Sequence, residues 1–220
     1  MDYKRIRLLS LLLFCFTIFF SCNEDDDEPS FANKPEQITD MVIFRTDSKG
    51  KVTSLRTDDG KTLTVQKCLI EGTVADTAYR YMCLYQLTKD KSAVAVLEGF
   101  YPTMSSYPFI GDKPSSEFFV PVEVVSTWNS GGYLNAHIEY KGRNAQNHSF
   151  AFWHEGITVE NGLKTAKVHF VHYSTEAQRS YSITQYTSLP LGIYNDIADS
   201  ISLTISTESG PVSYGCRIKS

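Results

Sequence analysis

Lys51-Val52-Thr53-Ser54-Leu55-Arg56-Thr57-Asp58-Asp59-Gly60-Lys61-Thr62-Leu63-Thr64-Val65 reads as a β-hairpin, and its reading decides the class of the fold. Asp59-Gly60 supplies the positive φ that a tight two-strand turn needs. The returning arm, Thr62 to Val65, alternates polar and apolar residues, the period of a strand with one buried face. The same period continues outward. Upstream, Met41-Val42-Ile43-Phe44 is turned back by Asp47-Ser48-Lys49-Gly50; downstream, Tyr79 to Leu87 turns at Lys89-Asp90-Lys91 into Ala93 to Leu97. Five short strands within about 60 residues predict a small closed or half-closed barrel, which leaves few sheet edges exposed.

From Phe100 to Pro114 the alternation breaks at Tyr101-Pro102, Tyr107-Pro108, Gly111-Asp112 and Lys113-Pro114, the best candidate boundary. Strands resume at Phe118 to Val125, Tyr133 to Tyr140, His148 to Trp153, Lys167 to Tyr173, Tyr181 to Tyr186, Ile201 to Ile205 and Val212 to Ile218. Ile201, Leu203 and Ile205 face one way, Ser202, Thr204 and Ser206 the other, as in a sandwich strand with one wet face. The expectation is an all-β chain: a barrel over residues 38–112, then a β-sandwich over 113–220.

The N-terminus reads as an address label. Lys4, Arg5 and Arg7 precede an apolar run from Leu8 to Phe20, and small Ser21 stands directly before Cys22. The run is short of the roughly 20 residues a spanning helix needs, so residues 1–21 read as a signal peptide. A small residue followed by Cys at its end is how lipoprotein signals close; a secretory signal cut elsewhere and an N-terminal transmembrane anchor fit less well. The box Phe19-Phe20-Ser21-Cys22 resembles the aromatic-rich lipoprotein boxes of certain Gram-negative anaerobes. Lipidation at Cys22 would tie the chain to a membrane through acyl chains. Glu24, Asp25, Asp26, Asp27 and Glu28 follow, a self-repelling block that belongs to an extended tether over residues 22–37. This placement resembles the surface-export signal of lipoproteins in those bacteria, so the expected location is the outer membrane, facing the exterior; the alternative is a simple spacer.

Cleavage before Cys22 removes three of the 21 basic residues and one of the 25 acids, moving the formal net charge from −4 to −6. Much of that sits in the tether, and no clustered basic face suggests a nucleic-acid partner. Of five cysteines, Cys15 leaves with the signal and Cys22 is acylated, so Cys68, Cys83 and Cys216 remain. A hairpin turning at Ala75-Asp76 would set Cys68 opposite Cys83 as a candidate disulfide, whereas two buried thiols acting as small hydrophobes is the competing reading.

No catalytic residue is expected. The Gly-x-Ser-x-Gly elbow is missing, and Asp59-Gly60-Lys61-Thr62 only mimics the end of a phosphate loop because Leu55 stands where its first Gly belongs. No metal or cofactor is expected either: His148 and His154 share parity with Phe150 and Phe152, His169 and His172 point to opposite faces, and no third ligand stands at metal spacing. The histidines read as surface or partly buried. Aromatics are the remaining lead. They make up 13% of the chain, and although most belong to strand pairs and core, the Tyr101 to Pro108 linker is the candidate exposed aromatic surface, with Tyr101 and Tyr107 as candidate binding residues. Trp128 and Leu134 are assigned to the sandwich core.

Trp128-Asn129-Ser130-Gly131-Gly132-Tyr133-Leu134-Asn135, placed between an Asp-Asp-Gly barrel and a sandwich on an acidic-tethered lipoprotein, resembles the NigD-like lipoproteins. The resemblance implies an OB-type barrel followed by a β-sandwich and a bacteriocin-associated setting, with no catalytic residues to carry over. The functional expectation is a non-enzymatic surface lipoprotein that binds a protein partner, the alternative being a glycan-binding module of a nutrient-capture system.

Overall fold

The computed structural model describes residues 36–71, 73–176 and 181–218; the signal peptide, Cys22 and the acids Glu24 to Glu28 lie outside them. Among the described residues thirteen strands are formed: β1 Gln37–Thr46, β2 Val52–Thr57, β3 Thr62–Val65, β4 Ala78–Leu87, β5 Ala93–Met104, β6 Phe109–Ile110, β7 Glu123–Ser130, β8 Tyr133–Gly142, β9 His148–Glu160, β10 Leu163–Ser174, β11 Tyr181–Pro190, β12 Ser200–Thr207 and β13 Gly210–Arg217. The described helical segments are single 3-10 turns, and none is long and apolar enough to cross a membrane.

The first five strands close on themselves. β1 pairs with β2 and β4, β2 with β3, and β4 with β5, all antiparallel; a parallel contact of Thr64-Val65 with Ala93-Val94 completes the ring. The opening hairpin forms as read: Thr57 N–H donates to Lys61 O, and Gly60 takes φ +89°. Inside lie Val42, Phe44, Leu55, Cys83, Val94 and Leu97, with Ile38 and Leu63 packed against them. The period-two pattern therefore places the barrel core directly.

The second body packs β11, β8 and β7 against a five-stranded sheet of order β13-β12-β10-β9-β6. Leu134, Ile138, Phe152, Val168, Phe170 and Leu203 fill the space between them. β5 does not stop at Leu97. It runs to Met104, and its end pairs in parallel with β11 through Tyr186 and Thr187, so barrel and half-sandwich share one eight-stranded sheet. The Tyr/Pro segment thus supplies structure as well as connection: Phe109-Ile110 pairs with Trp153-His154, and Trp153 Nε1 donates to Gly111 O at 3.1 Å.

Three expectations are corrected. The strand expected from Phe118 starts only at Glu123, after a 3-10 turn at Ser116–Phe118, because Pro121 lacks an N–H and restricts the residue before it. Ala75-Asp76 does turn, but it delivers β4 to β1 over nine residue pairs, not to the Cys68 segment. Cys83 consequently sits opposite Asp40 and Phe100, Cys68 bridges toward Leu97, and both thiols are free, as is Cys216. Trp128 is only half-buried at the edge strand β7, while Leu134 is core as expected.

Candidate functional site

The two sequence motifs that carried the fold reading meet in one buried polar network. Asp58, in the β2–β3 turn, takes both guanidinium nitrogens of Arg80 from β4, at 2.8 and 2.9 Å. Arg80 Nε donates to Ser188 Oγ at 2.9 Å, and its Nη2 donates to Asn135 Oδ1 at 3.0 Å. Ser188 donates to the same Asn135 oxygen at 2.6 Å, Asn135 Nδ2 donates to Ser130 Oγ at 2.9 Å, and Ser130 donates to Asp58. The Tyr133 ring covers the guanidinium, 3.9 Å from its carbon to the ring centroid. Arg80 is 6% exposed, and Asn135 and Ser188 are fully buried. A charge this deep is tolerated because its fork is matched by a bidentate carboxylate and neutral acceptors.

Each part of the Trp128 to Asn135 segment has a task there. Trp128 accepts from Asn135 through its carbonyl; Gly131, at φ +58°, leaves no room for a side chain, since a Cβ would lie 2.2 Å from Asp58 Oδ1. Gly132 O accepts from Leu191 N–H at 2.9 Å, holding the Leu191 to Tyr194 turn against the hairpin.

Around this frame run three cavities that share walls. One of about 670 Å³ opens at the barrel mouth between Ile38, Asp40, Lys61, Leu63, Tyr85 and Lys91. It shares Thr57 and Asp58 with a second of about 290 Å³. That one shares Gly131, Gly132 and Tyr133 with a third of about 470 Å³, lined also by Tyr107, Pro190, Ile193 and Ile218. Together they form a groove from barrel to sandwich with a rigid polar floor. At the barrel mouth burial raises the Asp40 carboxyl above its ordinary value, against the Met41 backbone N–H that lowers it, with Asp58 and Asp59 adding to the rise and Arg80 opposing it. Burial, then Asp40, pushes the Tyr85 hydroxyl up to about 12. Asp59 is held at about 2 by its bonds to Lys61 and Thr57.

The structure separates the two expected aromatic residues. Both are exposed, Tyr101 at 59% and Tyr107 at 71%. Tyr107 lines the groove; Tyr101 leans on Tyr186, whose ring stacks 4.7 Å from His137. A separate cleft of about 400 Å³ lies between Phe109, Phe118, Phe150 and Tyr173, with Phe118 and Tyr173 stacked at 5.1 Å.

Two of the five histidines are more buried than the sequence reading allowed. His148 and His172 stack in the sandwich with ring nitrogens 2.9 Å apart, and His172 Nδ1 lies 3.1 Å from Val120 O. Val120 accepts only, so His172 donates to it. Among the described residues no three His, Cys, Asp or Glu side chains gather where they could hold a metal ion. Sequence reasoning missed Arg80 and Asp40. Arg80's partners are 22, 55 and 108 residues away, whereas Asp40 had a local signal in its inward parity with Ile38, Val42 and Phe44.

Barrel and sandwich define an all-β scaffold, and solved structures share its fold. A NigD-like immunity protein from Bacteroides caccae superposes with a TM-score of 0.66 at 24% identity, covering 82% of this chain and 93% of that one. A candidate toxin-related protein from Parabacteroides distasonis gives 0.63 at 13% identity, covering 84% and 94%. A candidate lipoprotein from Bacteroides fragilis gives 0.58 at 11% identity, covering 84% and 99%. The NigD-like resemblance is thus matched in fold. No protein-family model matches the chain, and a search of curated proteins finds no match.

Proposed function

We propose that this chain is a non-enzymatic lipoprotein, held by acyl chains on Cys22 in the outer membrane and facing the exterior, that binds a protein partner along the barrel-to-sandwich groove. The observation that carries this reading is Tyr107: a large ring, mostly exposed, set beside Tyr133 and Ile193 on a framework fixed by the Arg80 network. Rigid aromatic anchors over a preorganised floor are what protein recognition sites use. A bacteriocin-associated setting is the finer reading, supported by the shared fold with an immunity protein. Asp40 is where an enzymatic reading would start, but its acidic neighbours Asp58 and Asp59 are already paired with Arg80 and Lys61.

A glycan-binding reading rests on a different surface, the row Tyr101, Tyr186 and His137. Tyr101 is tilted 55° from Tyr186, whereas a sugar platform needs parallel exposed faces, so the partner reading is preferred.

The test is a photo-crosslinking amino acid at position 107 in living cells, read by mass spectrometry. A discrete protein adduct is expected. Recovery of the lipoprotein alone, together with retention of polysaccharide by the purified protein, would replace the partner reading with the glycan one.

A further inference from the structure

Strand β1 breaks its own pattern at one place. Ile38, Val42 and Phe44 point into the barrel, and the inward position between Ile38 and Val42 is Asp40. It faces fully buried Cys83 across the β1–β4 ladder and lines the 670 Å³ cavity with Ile38, Leu63, Tyr85 and Leu87. An apolar residue there would extend the core, so the buried carboxylate costs stability that its bond from the Met41 N–H only partly offsets.

The charges at this mouth otherwise cancel in pairs. Asp58 is matched by Arg80 at 2.8 Å, Asp59 by Lys61 at 2.8 Å, and Glu36 by Lys91 at 3.6 Å. Asp40 has no cation within ion-pair distance among the described residues. The cavity therefore presents one carboxylate without an ion-pair partner, on which Arg80 acts only from a distance, behind aliphatic and aromatic walls. This shape suits a group with an apolar stem and a single positive head.

We propose that the barrel mouth binds an organic cation, the stem of a lysine or arginine side chain of the protein partner packing on Leu63 and Tyr85 with its head on Asp40. This rests on the partner reading and gives it a chemistry. A head of that charge supplies a counter-ion, and the burial that raises the Asp40 carboxyl favours a cation beside it.

Carbodiimide labelling of carboxyl groups on the detergent-solubilised full lipoprotein tests it, with peptide mass spectrometry reading Asp40. Butylguanidinium is expected to protect Asp40 from labelling at concentrations about tenfold lower than its neutral isostere butylurea, the ratio expected for one charge-assisted bond. Equal protection by the two, or none by butylguanidinium, overturns the assignment even where the position-107 adduct forms. Protection without that adduct keeps the cation site and overturns the partner as its source. Asp40→Asn, with its thermal transition checked and binding of the two probes read by calorimetry because it has no carboxyl to label, should lose the preference for the guanidinium.

Discussion

At the scale of single residues, the molecule depends most on Asp58 and Arg80. Their side chains are 11% and 3% exposed, so neither can exchange its partner for bulk water. Removing one leaves the other charged and buried, the situation in which broken ion pairs become expensive. Asp58→Ala should therefore cost about 3–5 kcal/mol in chemical denaturation. Asp59→Ala, one residue along, removes an exposed pair with Lys61 and should cost at most about 1 kcal/mol. Equal losses would show that the buried network does not hold the two bodies together. Cys83 belongs to the same scale: burial, then Cys68, pushes its thiol up to about 12, the signature of a small hydrophobe in a core.

At the scale of elements, the turns separate by what stands behind them. Gly60 and Gly131 both occupy left-handed backbone, at φ +89° and +58°. A Cβ at Gly60 meets nothing within 4 Å; one at Gly131 runs into Asp58. Gly60→Ala should cost about 1 kcal/mol of backbone strain, and Gly131→Ala at least about 2 kcal/mol, because the Asp58–Arg80 pair must also shift. Melting curves of the two variants would settle the comparison. A second tie holds the connection from β8 to β9. Glu176 accepts from the backbone N–H of Arg143 and Asn144 at 2.6 and 2.8 Å and from Asn147 Nδ2 at 3.0 Å. Burial pushes its carboxyl upward, but these donors and the His148 ring outweigh it and hold the group at about 2. Because the folded value lies below the ordinary 4.5, the stabilisation is complete above 4.5 and disappears as pH falls through about 2. Glu176→Gln should flatten the acid limb of the melting temperature across that window; an unchanged limb would show that other carboxylates govern it.

At the scale of the whole molecule, β5 is the connecting element. It closes the barrel against β3 and β4, then carries on to pair with β11, so one sheet serves two cores. The anchor proposal also belongs to this scale. Cys22→Ala should release the lipoprotein from membranes in fractionation, since stable retention depends on acyl chains; a variant that still pellets with outer membrane would end the anchor argument.

How much of this was legible follows from the range of each interaction. Most strand positions, the Asp59-Gly60 turn and much of the inward face of each body were readable because period two and turn chemistry act between near neighbours. Val42, Phe44, Leu134 and Ile201, Leu203 and Ile205 lie in their cores as that alternation requires. What only the tertiary structure decided was pairing across distance: β4 against β1 and not the Cys68 segment, β5 onto β11, and Arg80 reaching Asp58, Asn135 and Ser188. Sequence determines which groups a segment must bury or satisfy. Which distant segment meets that demand depends on chain closure and packing, and no local pattern encodes it.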